Sequence, residues 1–284
     1  MQTIGLSSEM NAVSSALLGK EKTIGFVPTM GALHEGHLSL IRKAKATCDV
    51  VVASIFVNPT QFNDPKDFDR YPRTVAADLT LLQAEGCDYV FTPQQITEVF
   101  PSNYIAFDMD FGQFESVMEG VHRPSHFKGV ANVVCRLFEI VTPTHSFFGL
   151  KDFQQYTIIK SMVAQKKLGT QIVGVPTCRA ESGLALSSRN TLLDNAARVY
   201  AANIYAGLQF AQSNFQLFSL QEAKEKTLAF FKEKTAFELE YLEFADGETL
   251  QRLEESTISN SPMAFIALKL NGVRLIDNIS LKLN

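Results

Sequence analysis

The stretch TIGFVPTMGALHEGHLSLIRKAKA, Thr23 to Ala46, decides how the chain is read. Its apolar opening, Thr23–Val27, predicts a strand, and the amphipathic run Leu38 to Ala46 predicts a helix over His37–Thr47. Between them lies a glycine-bearing turn, Thr29 to His37. Strand, turn and helix in that order open a β-α unit. His34 and His37 then fall three residues apart on one side of the first helical turn, with Gly36 between them. A helix start offers unpaired N–H groups and the positive end of the macrodipole, and both favour phosphate. Two imidazole donors added there make a place where a triphosphate can be held and attacked. The alternative reading is a partly buried pair that caps the helix.

The same alternation continues outward. Strands are expected at Val50–Val57, Tyr89–Phe91, His145–Phe148 and Gln171–Val175, and helices at Thr74–Ala84, Val130–Val141 and Phe153–Lys167. This pattern predicts an α/β fold, a Rossmann-like, mostly parallel sheet with helices on both faces. Val50–Val57 is apolar at nearly every position, as a strand covered on both sides requires. Ligands bind such sheets beyond the carboxyl ends of the strands, and the chemically informative residues fall there. After about Val175 the pattern changes. Helical spacing at Tyr200, Ile204, Leu208 and Ala211, a helix over Leu220–Phe231, and runs at Leu239–Ala245, Met263–Leu270 and Val273–Ile279 predict a smaller α+β unit with an antiparallel sheet. Asn271-Gly272 between the last two runs is a hairpin signal, because both turn residues need positive φ. The expected domains are residues 1–175 and 176–284.

Composition narrows the function classes. The 284 residues are 46% hydrophobic and carry 26 Lys and Arg against 30 Asp and Glu, a formal charge of −4. A sizeable core is expected, and neither disorder nor a nucleic-acid-binding surface is. A local basic pocket is still possible, since Arg123, Lys128, Lys151, Arg179 and Arg189 cluster in the informative segments. Cys48, Cys87, Cys135 and Cys178 form no paired motif, which points to a reducing, cytoplasmic setting. The start of the sequence, MQTIGLSSEM, lacks the features of a secretory leader, and no apolar run reaches the roughly 18 residues of a membrane span.

Three further clusters bear chemistry. In GLKDFQQ, Gly149 to Gln155, Lys151 can neutralise phosphate, Asp152 can hold a magnesium-bearing phosphate through water, and Gln155 sits in the first turn of the next helix. The plain alternative is a helix cap beside a surface lysine. In LSSRN, Leu186 to Asn190, two hydroxyls and a guanidinium can wrap a pyrophosphate, although the motif also reads as a loop and N-cap. In NPTQF, Asn58 to Phe62, the neutral Asn58 and Gln61 suit a small hydroxylated substrate, or else an Asn-Pro turn. HRPSHFKGV, His122 to Val130, reads as a loop near the phosphates.

Together FVPTMGALHEGHLSLI, SIFVNPTQF, DFDRYPRT, RPSHFKGVANVV, GLKDFQQ and LALSSRN, in this order and spacing, resemble the pantoate–β-alanine ligase family of the nucleotidyltransferase superfamily. His34, Glu35, Gly36 and His37 match its His-x-Gly-His signature, and Leu186 to Arg189 match its KMSKS-type loop. The resemblance implies a homodimer. It also implies ATP-dependent condensation of pantoate with β-alanine through pantoyl adenylate, with Mg2+ present and AMP and pyrophosphate released. It further implies ATP contacts from Met30, Gly31, Ala32, Leu33, His34, Glu35, Gly36, His37, Gly149, Leu150, Lys151, Asp152, Cys178, Leu186, Ser187, Ser188 and Arg189. His37 matches a proton donor, Gln61 a contact to pantoate and β-alanine, Gln155 a contact to pantoate, and Tyr71 a loop near the mouth of the site. His34, His37, Lys151, Ser187, Ser188 and Arg189 are the expected catalytic set, and Asp152 the one expected metal contact, through the ATP phosphates.

The chain departs from the family pattern at Asn63 and Ser125, where glycine is usual, at Leu150 for Glu, at Ala180 and Ser182 for acidic residues, and at Leu186 for Met. Two rivals remain at this stage: a related enzyme transferring a nucleotidyl group to a phosphorylated acceptor, and a non-catalytic nucleotide sensor.

Overall fold

The computed structural model describes residues 1–62, 65–256 and 259–282. The chain divides into two compact units. One comprises Met1–Glu115, Glu119–Leu150 and Gln155–Pro176, and the other Ser116–Met118, Lys151–Gln154 and Thr177–Asn284.

The first unit holds strands β1 (Gln2–Ile4), β2 (Ile24–Thr29), β3 (Val50–Ile55), β4 (Tyr89–Phe91), β5 (His145–Gly149) and β6 (Gln171–Val175). They form one six-stranded sheet in the order β1-β4-β3-β2-β5-β6, and every described pairing is parallel. The helices are α1 (Ser7–Leu18), α2 (Glu35–Thr47), α3 (Pro65–Arg70), α4 (Val75–Ala84), α5 (Ile96–Val99), α6 (Glu119–His122), α7 (His126–Val141) and α8 (Phe153–Gln165).

Alternation along the strands sorts the core into two layers. Ile24, Phe26, Val52 and Phe148 pack with Met10 of α1, Val130, Val134 and Phe138 of α7, and Ile158 and Met162 of α8. Val27, Val51, Ala53, Val90 and Phe147 pack on the other side with Leu40 and Ile41 of α2 and Leu82 of α4. Helices therefore cover both faces, as the apolar strand runs require. The strand order reverses beside β2, which has β3 on one side and β5 on the other. A crevice is expected at the carboxyl ends of strands where the order switches. Those ends are Thr29 and Gly149.

The second unit contains α9 (Asn195–Ala201), α10 (Asn203–Leu217), α11 (Leu220–Lys232) and strands β7 (Phe237–Asp246), β8 (Pro262–Leu270) and β9 (Val273–Ser280). The strands form an antiparallel sheet in the order β7-β8-β9. Asn271 and Gly272 turn the last hairpin with φ of 51° and 75°, the positive values that the dipeptide foretells. Leu208, Phe231, Phe244, Ile266 and Leu268 lie in this unit's own core.

Several expected boundaries are corrected. Sequence reading omits β1 and α1, ends β3 two residues late, and starts α7 at Val130 instead of His126. The segment His122–Val130 is thus the end of α6, a three-residue turn and the first turn of α7, not a loop. Gly129 lies inside that first turn because a Cβ there would stand 2.4 Å from the Thr60 carbonyl oxygen.

Ser125 precedes α7 with φ of 64°, the left-handed region that costs an L residue about 1 kcal/mol. That is the physical reason glycine suits this position. Ser125→Gly should raise the thermal midpoint by about 1–2 °C, net of glycine's extra unfolded-state entropy. Differential scanning calorimetry checks this; a lowered midpoint contradicts it.

Candidate active site

The turn after β2 is built by strained backbone and a saturated set of amides. Gly31 and Ala32 both have positive φ, 79° and 50°. At Gly31 a Cβ would lie 2.9 Å from a carboxylate oxygen of Asp78 and 3.1 Å from Ile55, so only glycine fits. The Gly31 amide donates to the Thr29 hydroxyl at 3.1 Å, and that hydroxyl donates to the Ser54 carbonyl at 2.7 Å. The Ala32 and Leu33 amides donate to the two carboxylate oxygens of Asp78, at 3.0 and 2.8 Å. The Thr74 hydroxyl adds a third bond to Asp78 at 3.1 Å.

His34 is the N-cap of α2. Its Nδ1 accepts the Gly36 amide at 3.1 Å, while Nδ1 of His37 accepts the His34 amide at 3.3 Å. The rings lie 4.1 Å apart between centroids, tilted by 43°. The His37 amide donates to the His34 carbonyl at 2.8 Å. At this helix start the Gly36 and His37 amides are engaged within the turn. The amides of Gly31, Ala32, Leu33, His34, Gly36 and His37 all have acceptors within the protein. Because Nδ1 of each imidazole accepts an amide hydrogen, a neutral ring carries its own hydrogen on Nε2. The capping and the functional readings of the pair are thus compatible: one nitrogen caps and the other is a donor. Glu35, next to the pair, is bound by Arg42, which also grips Glu85. The hydrogen bond from Arg42 holds the Glu35 carboxyl below its ordinary range.

Asn58 and Gln61 lie in a 3-10 turn beyond β3, and both are buried. Asn58 caps the turn, accepting from the Thr60 amide and hydroxyl at 3.3 and 3.0 Å, and donates to the Gly129 carbonyl at 3.3 Å. Gln61 stands 3.4 Å from the Asn58 amide and 2.8 Å from the Met30 sulfur. His126 touches the Gln61 carbonyl through Nδ1 at 2.8 Å. His126 is therefore a buried support of the Gln61 turn rather than part of a phosphate loop. Tyr71 is also buried, edge-on to Phe62 at 5.7 Å between centroids.

Gly149 ends β5, and a Cβ added there would meet nothing within 4 Å. Leu150, where the family has Glu, lies over Gly174 of β6, whose added Cβ would come within 2.7 Å of it. Gln155 is half-buried in the first turn of α8.

In the second unit, Lys151 approaches Asp152 at 3.5 Å, with side chains 17% and 50% exposed. The Lys151 carbonyl accepts from Asn278 at 2.9 Å. Ser187 caps a short 3-10 helix, Ser188–Leu192, accepting from the Arg189 amide at 3.3 Å. The preceding loop is tied by the Leu186 amide to the Cys178 carbonyl at 3.0 Å and the Ala180 amide to the Leu184 carbonyl at 2.9 Å. Ala180 and Ser182 belong to this tight turn.

Within the expected basic cluster, Arg179 is heavily engaged. Arg179 forms a bidentate pair with Asp277 at 2.6 and 2.9 Å, bonds the Gly183 and Asn278 carbonyls, and stacks 3.8 Å over Tyr205. Lys128 pairs with Asp108 at 2.8 Å, and Arg123 lies 3.9 Å from Glu119. Arg179 is thus tied within the fold, whereas the Lys128–Asp108 pair is exposed to solvent. Asn63 lies outside the described residues.

Among the described residues no three His, Cys, Asp or Glu side chains are grouped to hold a metal ion. Burial pushes the Cys87 thiol up to about 12 and Cys135 to about 11, so both are inert packing groups rather than nucleophiles. A cavity of about 360 Å³ borders Met30 and Gly31, lined also by Phe56, Phe68, Thr74 and Gln95, but neither histidine nor Gln61 lines it.

Sequence reading missed Asp78. It sits in the first turn of α4 and is only 1% exposed. The available signal was an acidic residue four positions after Thr74 in an otherwise alanine- and leucine-rich helix.

Comparison with known proteins agrees with this architecture. A sequence model described as pantoate-β-alanine ligase matches residues 2–280. The pantothenate synthetase of Flavobacterium psychrophilum is 43% identical over 265 residues, covering 93% of this chain and 94% of that protein. That of Phocaeicola vulgatus is 44% identical over 287 residues, covering 99% and 100%. The crystal structure of pantothenate synthetase from Thermus thermophilus superimposes with a TM-score of 0.92 at 37% identity and full coverage of both chains. A pantoate-β-alanine ligase from Francisella tularensis, solved with β-γ ATP and β-alanine, gives 0.82 at 35% identity, with 100% and 99% covered. The chain belongs to the pantoate–β-alanine ligase family.

Proposed function

We propose that this ligase activates the carboxylate of pantoate with ATP and passes the acyl group to β-alanine. The pantoate carboxylate attacks the α-phosphorus and displaces pyrophosphate, forming pantoyl adenylate. The β-alanine amine then attacks the acyl carbon and releases AMP. The observation that supports this reading is the paired cap at the start of α2, in which Nδ1 of His34 and of His37 each accepts an amide hydrogen, so that a neutral ring carries its own hydrogen on Nε2.

Carboxylate and triphosphate repel one another, so catalysis is mainly charge placement. Negative charge grows on the α-phosphoryl oxygens as the fifth bond forms, and Nε2–H of His34 and His37 donate to it. Lys151, Arg189 and the hydroxyls of Ser187 and Ser188 take the charge of the leaving pyrophosphate. Met30 to Glu35, Gly149 to Asp152, Cys178 and Leu186 complete the ATP contacts, and the open space at Gly149 admits a ligand against the backbone. Gln61 and Gln155 orient pantoate, and Gln61 also meets β-alanine. A neutral pair suits a hydroxy acid, where a phosphorylated acceptor would call for cations.

Magnesium fits as a metal delivered with ATP, since it is commonly held by one or two carboxylates plus substrate phosphates, and the half-exposed Asp152 is the side chain offered to it. When bound, it would neutralise phosphate charge. Residues 1–175, apart from Ser116–Met118 and Lys151–Gln154, supply the ATP- and pantoate-binding domain, and the second unit carries the Ser187–Arg189 loop. The four free cysteines fit a reducing cytoplasm. By family likeness the ligase works as a homodimer.

Incubation with ATP, pantoate, β-alanine and Mg2+ should yield AMP and pantothenate in equal amounts; absence of either product refutes the reading. His37→Ala should lower adenylate formation by about 10²–10³. His34→Asn separates two roles, because asparagine still caps a helix but lacks the Nε2 donor. It should lose about 10² in kcat while the thermal midpoint stays within about 2 °C; unchanged turnover would remove His34 from the chemistry. Gln61→Ala should raise KM for pantoate with little change for ATP, and the reverse pattern in steady-state kinetics would reject its assignment.

A further inference from the structure

We infer that Asp78 is the positioning residue that sets ATP affinity, by holding the Gly31–Leu33 turn in its strained form. The inference rests on the proposed assignment of that turn to ATP. Asp78 is buried on α4, 45 residues from the amides it serves, and both its oxygens accept: Leu33 on one, Ala32 and Thr74 on the other. Ala32 carries a side chain at φ of 50°, a conformation that L residues occupy at a cost. Such backbone persists only where its surroundings over-determine it. Here the restraint is charge-assisted and comes from one side chain. Gly31 lets that carboxylate approach to where a Cβ would stand 2.9 Å from it. Leu33 runs directly into the His34 cap. The carboxylate therefore determines where the paired rings begin, although it touches neither of them in any contact described.

The same carboxylate borders the cavity beside Met30 and Gly31, which also reaches Thr74. Among the described residues lining that cavity, the one cation that could compete for the Asp78 carboxylate, Arg73, stacks 5.1 Å over Phe68. Asp78 is thus committed to the turn. Asparagine could not replace it, because one of its two terminal atoms is a donor and would face an amide hydrogen.

The test is isothermal titration of Asp78→Asn with ATP and, separately, with pantoate, alongside amide hydrogen exchange. The dissociation constant for ATP should rise about ten- to hundred-fold, the range of a lost hydrogen bond to a charged group, while that for pantoate changes less than about two-fold. Exchange at Ala32 and Leu33 should accelerate. Adding Ala32→Gly to Asp78→Asn should recover part of the ATP affinity, since glycine relieves the strain that the carboxylate restrains. A general loss of structure would not be rescued this way. ATP affinity equal to wild type, equal losses for both ligands, or no recovery by Ala32→Gly each overturn the inference. If Asp78→Asn does not fold, Thr74→Val and the wild-type exchange rates decide. A several-fold weaker ATP affinity with protected Ala32 and Leu33 amides supports the inference, and wild-type affinity or unprotected amides overturn it. Failure of the wild-type protein to bind ATP would instead refute the functional assignment, while exchange at Ala32 and Leu33 in Asp78→Asn would still decide whether the carboxylate holds the turn.

Discussion

Two amide hydrogens pointing inward to one carboxylate organise much of what is distinctive here. Ala32 and Leu33 turn their N–H groups toward Asp78. Burying a carboxylate is costly unless its lone pairs are used, and here both oxygens are engaged. The arrangement in turn requires glycine at position 31 and places a side chain at position 32 in left-handed backbone. The helix that follows starts with histidine caps rather than open amides. Helix-start anion sites generally rely on backbone donors. In this chain the amides of Gly31, Ala32, Leu33, His34 and Gly36 are engaged by the scaffold, and the two imidazoles add donors of their own.

The second unit shows a comparable use of a charged group to hold the chain. Arg179 spends its fork on Asp277 and backbone carbonyls and its flat face on Tyr205. That geometry suits guanidinium and not ammonium. It ties the strand-like segment before the Ser187–Arg189 loop to β9. Charge alone in a sequence segment is therefore a poor guide to ligand contact.

What was legible in the sequence follows from which forces are local. Buried parallel strands need apolar residues on both faces, so β4 and β6 could be read to the residue and β2, β3 and β5 nearly so. The Asn271-Gly272 hairpin was legible because its backbone demands those residues. The edge strand β1 was not, having three residues with only Ile4 buried, nor was α1, which buries only Met10 and Ser14. The start of α7 was hidden because Gly129 looks like a loop residue. Its absence of a side chain answers a neighbour 69 positions earlier, Thr60. Asp78 was hidden for the same reason, since a polar residue on a helix reads as solvent-facing until its distant partners are known. The motif residues themselves were legible from resemblance, but which of their atoms were already engaged was not.

The twin caps at the start of α2 couple protonation to conformation. A second proton on either imidazole has only Nδ1 to occupy, and that atom already accepts an amide hydrogen. Imidazolium and intact cap are therefore mutually exclusive states of the same ring.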